Sequence, residues 1–174
     1  KYVSDEALAS LDWLNIMIYD ASQWGWSTAK SHSDIKFFNS SISYWHEYRG
    51  IPKNKLVLGV PFYGQAFGGI NQIGYAATNA GITGSDGAPT YKDIWRKLLF
   101  SNYTLVEDGN QSYLYTEELD GEIVFFDSPD ILRRKSYQIN QEEFLGIMVW
   151  AIGQDHNDSL SQAILEYIEP DFSE

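Results

Sequence analysis

The sequence predicts an α/β fold in which buried parallel strands of barrel type alternate with helices and are interrupted by an inserted α+β segment. Three observations carry this. Trp13–Asp20, Lys55–Gly64 and Leu145–Trp150 are short, mainly apolar runs, and the first two gather polar or Gly/Pro residues towards their C-terminal ends. A strand covered on both faces is apolar almost throughout, and α/β barrels place their chemistry at the C-terminal ends of the strands. Helical periodicity fills much of the space between the runs. From 65 to 122 that order gives way to Gly- and Asn-rich sequence, one amphipathic helix and short strands.

Taken in order, Ser4-Asp5-Glu6 caps a short helix that leads into the strand 12–19. Leu14, Ile16 and Ile18 alternate there with Trp13, Asn15, Met17 and Tyr19, and Asp20 closes the run. The loop 21–33 follows, with Trp24 and Trp26 as flat rings flanking the Asp20 carboxylate. Asn39–Tyr48 has helical spacing in Ile42, Trp45 and Tyr48, with Gly50 as its stop, so Trp45 reads as core. After a turn at 51–54, Lys55–Gly64 is the second strand, and 12–64 makes one βαβ unit with a right-handed crossover expected. Residues 65–89 show no strong period and read as loop. Thr90 and Asp93 form a capping box for a helix whose apolar face is Ile94, Trp95, Leu98 and Leu99. Tyr103–Val106, Ser112–Leu119 and Glu122–Phe126 read as antiparallel strands, with Asp120-Gly121 a two-residue hairpin signal. Asp127 or Ser128 caps the next helix, with Pro129 at its first position and Ile131, Leu132, Lys135 and Ile139 setting its spacing. Leu145–Trp150 is the third barrel-type strand. The last helix, Ser159–Ile168, is read as capped by Asp158 and stopped by Pro170.

The chain of 174 residues is 44% hydrophobic and 21% charged, enough for a packed core. Its net charge of -12 argues against nucleic acid and anionic membranes as partners and fits a neutral or cationic ligand. The absence of cysteine excludes disulfides and thiolate metal sites. No apolar run approaches a membrane span, and Lys1 does not open a signal peptide. His32, His46 and His156 lack ligand spacing, Gly68-Gly69 lacks a phosphate-loop pattern, and Asp155, Asn157 and Asp158 read as a helix cap, so no metal or cofactor is expected. Aromatics reach 16%, with six Trp and twelve Tyr. Most belong in core or rim, and the remainder offer flat faces against which the C–H faces of sugars can lie. Asn39, Asn102, Asn110 and Asn157 begin Asn-x-Ser/Thr triplets, which matter only in a glycosylating secretory pathway.

Asn15-Ile16-Met17-Ile18-Tyr19-Asp20, Lys55-Leu56-Val57-Leu58-Gly59-Val60-Pro61-Phe62-Tyr63-Gly64 and Gly146-Ile147-Met148-Val149-Trp150 resemble the sixth, seventh and eighth strands of glycoside hydrolase family 18, the chitinase-like TIM-barrel family. The segment 65–122 resembles its α+β insertion after strand seven, and Phe126-Asp127-Ser128 with Lys135 resembles its return into the barrel. The resemblance implies a partial TIM (β/α)8 barrel divided as 1–64, 65–122 and 123–174. It implies substrate-assisted hydrolysis of β-1,4-linked N-acetylglucosamine glycans, in which a Glu protonates the leaving oxygen and the substrate's own N-acetyl carbonyl attacks the anomeric carbon. It makes Tyr19 and Asp20 catalytic, the first donating to that carbonyl and the second orienting the sugar. Met17 would form the pocket floor, Trp150 the aromatic platform, and Tyr63, Tyr115 and Trp24 further substrate contacts. It also implies an extracellular, periplasmic or cell-surface location, and it admits endoglycosidases of N-glycans and peptidoglycan hydrolases.

The family's acid motif, Asp-x-x-Asp-x-Asp-x-Glu, is absent from this sequence. Glu118-Leu119-Asp120-Gly121-Glu122 is a poor mimic whose Asp-Gly pair marks a turn, and Glu142 and Glu143 read as solvated. Without the insertion, roughly 116 residues remain, whereas an eight-stranded barrel takes about 250. The expectation is the C-terminal part of a longer hydrolase that alone carries half a pocket and no proton donor. The alternative is a catalytically inactive glycan-binding relative. The strands at 12–19 and 145–150 would then be open edges, calling for the missing barrel half or self-association.

Overall fold

Three parallel strands form one sheet, and Asp20, Tyr63 and Trp150 stand at or just beyond their C-terminal ends. The computed structural model describes residues 3–84, 86–100, 102–118 and 120–168. Helix α1, Asp5–Ala9, opens on Ser4, whose hydroxyl accepts from the Ala7 N–H. Strand β1, Leu14–Ile16, is shorter than the expected 12–19, because its ladder with β2 (Leu56–Pro61) ends at Ile16↔Leu58 and Asp20 turns left-handed at φ +61°. β2 pairs in parallel with β1 on one side and with β8 (Gly146–Trp150) on the other. In the order β1-β2-β8, β1 and β8 each have one strand neighbour among the described residues, so both are open edges. Gly59 lets the sheet close at this point. A Cβ there would stand 2.6 Å from the Ile16 carbonyl oxygen and 3.2 Å from the Tyr19 ring.

Helix α2, Ile35–Ile42, begins four residues before the expected Asn39, because Asp34 caps it by accepting from Phe37 N at 2.7 Å. It continues as a π-helical stretch, Ser43–Tyr48, and stops at Gly50 with φ +68°. Trp45 packs at the edge of the cluster formed by Ile16, Ile18, Phe38, Leu56 and Leu58, as expected.

Residues 65–89 are not simply loop. Gly64–Gly68 (β3) and Asn79–Ala80 (β4) join β5 (Tyr103–Glu107), β6 (Ser112–Thr116) and β7 (Glu122–Phe126) in an antiparallel sheet of order β4-β3-β7-β6-β5. β3 has little local strand signal. It is a strand because all five residues pair with β7 and are buried, which is how packing context overrides propensity. The expected divisions at 64/65 and 122/123 therefore each run through a strand, the first residue of β3 and of β7 falling on the other side. β6 ends at Thr116 rather than Leu119, which lies outside the described residues. The connection spans 117–121 instead of two residues, closed by Gly121 N–H donating to the Glu118 carbonyl and Glu122 N–H to Thr116 Oγ1, each at 3.0 Å. Glu122 is buried and accepts from Thr83 N (2.8 Å), Thr83 Oγ1 (2.6 Å) and Tyr103 OH (2.5 Å), tying the 81–90 loop to the sheet.

Helix α3, Tyr91–Phe100, starts with the expected box, Thr90 Oγ1 donating to Asp93 Oδ2 at 2.6 Å and accepting from Asp93 N at 3.2 Å. Ile94 is buried, but Leu99, expected on the apolar face, is exposed. Ser128 caps α4, Pro129–Gln141, while Asp127 turns inward. Helix α5, Ser159–Leu165, ends three residues before the expected Ile168; Asp158 holds the N-cap position as expected, but Asp155 supplies the side-chain cap. The Asp155 carboxylate accepts from Leu160 N, Ser161 N and Ser161 Oγ, whereas Asp158 stands at φ +56° with no side-chain capping bond. Pro170 lies outside the described residues. Val60, Phe62, Ile94, Leu114, Val124, Leu132 and Leu160 form the core between the two sheets and α3, α4 and α5.

Candidate active site

Asp20 stands just beyond β1, where the left-handed turn swings its carboxylate over the C-terminal end of β2. Aspartate tolerates that backbone better than most residues, since its short polar side chain bonds locally. Tyr63 OH donates to Asp20 Oδ1 at 2.7 Å and Gln65 Nε2 donates to the same oxygen at 3.0 Å. His32 Nδ1 lies 3.7 Å from Oδ1 and accepts from the Asp20 N–H at 3.4 Å. The side chain is 52% exposed, and no described residue bonds Oδ2. The His32 ring foremost, then Tyr63 and Gln65, hold the carboxyl below the usual carboxylate range against the opposing effect of partial burial. Asp20 is therefore an ionised acceptor with one oxygen anchored and one free.

Two tyrosines adjoin it. Tyr63 is held protonated far into the alkaline range, first by burial and then by its bond to Asp20. Burial and the Asp20 charge also raise Tyr19. Among the described residues Tyr19 OH meets only the weak acceptor Met148 Sδ, at 3.9 Å, and its ring packs edge-on against Tyr63. Both phenols are donors at neutral pH. Asp20, Tyr63 and Trp150 share an open pocket of about 290 Å³ with Gln23, Gln65, Ala88 and Gln154. Trp150, the last residue of β8, is 57% exposed, and its carbonyl accepts from Phe62 N at 2.7 Å.

Of the other expected site residues, Tyr19 and Met17 are not among those lining the pocket, and Trp24 and Tyr115 pack elsewhere. Met17 is 69% exposed and does not line this pocket. The two-residue period that buries Ile16 and Ile18 turns Met17 to the opposite face, the one it shares with Tyr19. Trp24 packs over Gly87 and donates from Nε1 to the Asp86 carbonyl at 3.3 Å, which makes it a support of the 81–90 loop. Tyr115 packs with Tyr113 against the Phe67, Ile123 and Phe125 cluster. His32 and Gln65 join the site although the sequence expectation does not include them. His32 carries no ligand spacing and Gln65 stands in a stretch without strong period, so neither has a local signal that points to Asp20. Glu142, expected to be solvated, pairs with Lys53 at 2.7 Å.

Beneath the site, Lys135 and Asp127 form a buried ion pair, Nζ to Oδ2 at 2.5 Å. Lys135 Nζ also donates to the Ser33 carbonyl at 2.6 Å, and Ser33 Oγ donates to Asp127 Oδ1 at 2.6 Å. This triad fixes the residue next to His32, and so the far end of the 21–33 loop whose other end is Asp20. Ala21 N–H donating to the His32 carbonyl at 3.0 Å closes that loop.

The profile of glycosyl hydrolases family 18 matches residues 1–155. A probable chitinase 10 of Drosophila melanogaster is 32% identical over 168 residues, covering 83% of this chain and 7% of that protein. A class V chitinase of Arabidopsis thaliana is 29% identical over 173 residues, covering 93% of this chain and 45% of that protein. The solved class V chitinase from Nicotiana tobaccum, both alone and as a variant in complex with NAG4, superposes with a TM-score of 0.83 at 29% identity, over 94% of this chain and 51% of that one. The chain thus spans about half the length of these relatives or less.

Proposed function

The chain belongs to glycosyl hydrolases family 18, and on that premise we propose that it supplies the substrate-side part of an enzyme cleaving chitin-type, β-1,4-linked N-acetylglucosamine glycans. Its α/β fold is that of solved chitinases of this family. In this reading β1, β2 and β8 are strands six, seven and eight of a (β/α)8 barrel, and α3 with the antiparallel sheet is the insertion after strand seven. The open edges of β1 and β8 receive the rest of the barrel, in preference to a second copy. The tobacco chitinase solved with NAG4 supports N-acetylglucosamine oligomers as the ligand class, and family membership supports an extracellular, periplasmic or cell-surface setting.

The observation that carries the reading is the convergence of Asp20, Tyr63 and Trp150 on one pocket. Trp150 would lie under the sugar ring at the point of cleavage. Tyr19, protonated and with only a thioether for partner, would donate to the substrate's N-acetyl carbonyl as that oxygen attacks the anomeric carbon. Asp20 Oδ2 would accept from the bound sugar and orient it. The proton for the leaving oxygen is assigned to a Glu outside this chain, since the acid motif does not occur within it.

The test uses the full-length polypeptide that carries this chain, with chitotetraose as substrate. Asp20→Ala should lower kcat/KM by about a hundredfold or more while leaving the melting temperature close to wild type. Unchanged turnover would remove Asp20 from the mechanism. A second reading, a glycan-binding relative without activity, is favoured by the pocket being assembled without the acid. Chitotetraose binding with no release of reducing ends would select it.

A further inference from the structure

Gln65, the second residue of β3, is 3% exposed between the buried Gly64 and Ala66. An ionised carboxylate only accepts, so the amide must turn Nε2 towards Asp20. That choice leaves Gln65 Oε1 buried with no hydrogen-bond partner among the described residues. An unsatisfied buried carbonyl oxygen weakens the fold, and an apolar side chain of the same length would avoid it. Local arrangements that oppose stability concentrate where function holds them. The consequence at Asp20 is specific. Tyr63 and Gln65 both occupy Oδ1, and Oδ2 is left to the pocket.

We propose that Gln65 is a positioning residue for Asp20. It clamps Oδ1 so that Oδ2 faces a hydroxyl or amide N–H of the ligand, and it is retained for that geometry and not for folding. The identity of the ligand rests on the reading given under Proposed function; the clamp on Asp20 does not. The groups that face Asp20 are His32 from the 21–33 loop, Tyr63 from the end of β2, Tyr19 from the end of β1 and Gln65 itself. Of these, Gln65 alone can be replaced by an apolar residue of similar shape without touching a titratable group.

The experiment compares wild type, Gln65→Met and Gln65→Glu in the full-length polypeptide, reading the melting temperature, chitotetraose affinity and the Asp20 carboxyl titration by carbon-13 NMR. Gln65→Met should melt at or above the wild-type temperature, bind chitotetraose about tenfold more weakly, and titrate Asp20 at a higher pH than wild type. Gln65→Glu, which places a second carboxylate against Oδ1, should move the titration further in the same direction. A Gln65→Met protein that melts well below wild type with unchanged affinity, or that does not fold, would overturn the proposal in favour of a structural role. If wild type binds no chitotetraose, the proposed function fails. The Asp20 titration then still decides the role of Gln65, and an unmoved midpoint overturns it.

Discussion

Replacing Lys135 by Met tests how the core beneath the site is held. Lys135 is fully buried, and its ammonium serves two acceptors, Asp127 Oδ2 at 2.5 Å and the Ser33 carbonyl at 2.6 Å. The substitution keeps the apolar stem against Phe38 but leaves a buried carboxylate with Ser33 Oγ as its one remaining partner among the described residues. Removing one member of a buried pair costs about 3–5 kcal/mol, because the surviving charge stays out of water without compensation. Removing both members, as Asp127→Leu with Lys135→Met, eliminates the charge and leaves the Ser33 hydroxyl and carbonyl unpaired, a cost of about 1–3 kcal/mol. The double variant should therefore be more stable than the single one. Urea denaturation followed by tryptophan fluorescence measures this, with unchanged slopes showing that the midpoint shift is a stability change. A Lys135→Met cost below about 1 kcal/mol, or a double variant less stable than the single, would refute the reasoning. Because Ser33 adjoins His32, the single variant should also weaken chitotetraose binding.

Two further outcomes follow from the same geometry. Trp150 is more than half exposed, so Trp150→Ala should change folding stability by no more than about 0.5 kcal/mol while weakening chitotetraose about three- to tenfold, as loss of a stacking face does; calorimetry and thermal melts separate the two. Asp20 has a lowered pKa in the folded state and an ordinary one when unfolded. Its contribution to stability is thus present above the ordinary carboxylate range and is lost as the pH falls through the lowered value. Melting temperatures measured down that range should show a component that disappears in Asp20→Asn, and an unaltered profile would place the acid sensitivity in other carboxylates.

The apolar runs that became β1, β2 and β8, the capping box at Thr90 and Asp93, the Ser128 cap and the Tyr19-Asp20 pair at a strand end were legible in the sequence alone. Each is a property of a few adjacent residues, expressed through side-chain period or a bond to a nearby backbone N–H. What only the tertiary structure decided lies in partners brought from a distance. β3 exists because β7 pairs with every residue of it, although Gly64–Gly68 carries little strand pattern of its own. Asp158 stands at the N-cap of α5, yet Asp155 supplies the capping carboxylate, because the backbone at 157–158 turns left-handed and the Asp158 side chain makes no capping bond. Lys135 held its place in the helical spacing, but its role came from Asp127 and Ser33. His32 and Gln65 reach Asp20 from 12 and 45 residues along the chain. A segment encodes its own conformation in local sterics and hydrogen bonding, whereas the partner that a buried polar group finds is set by how the elements pack.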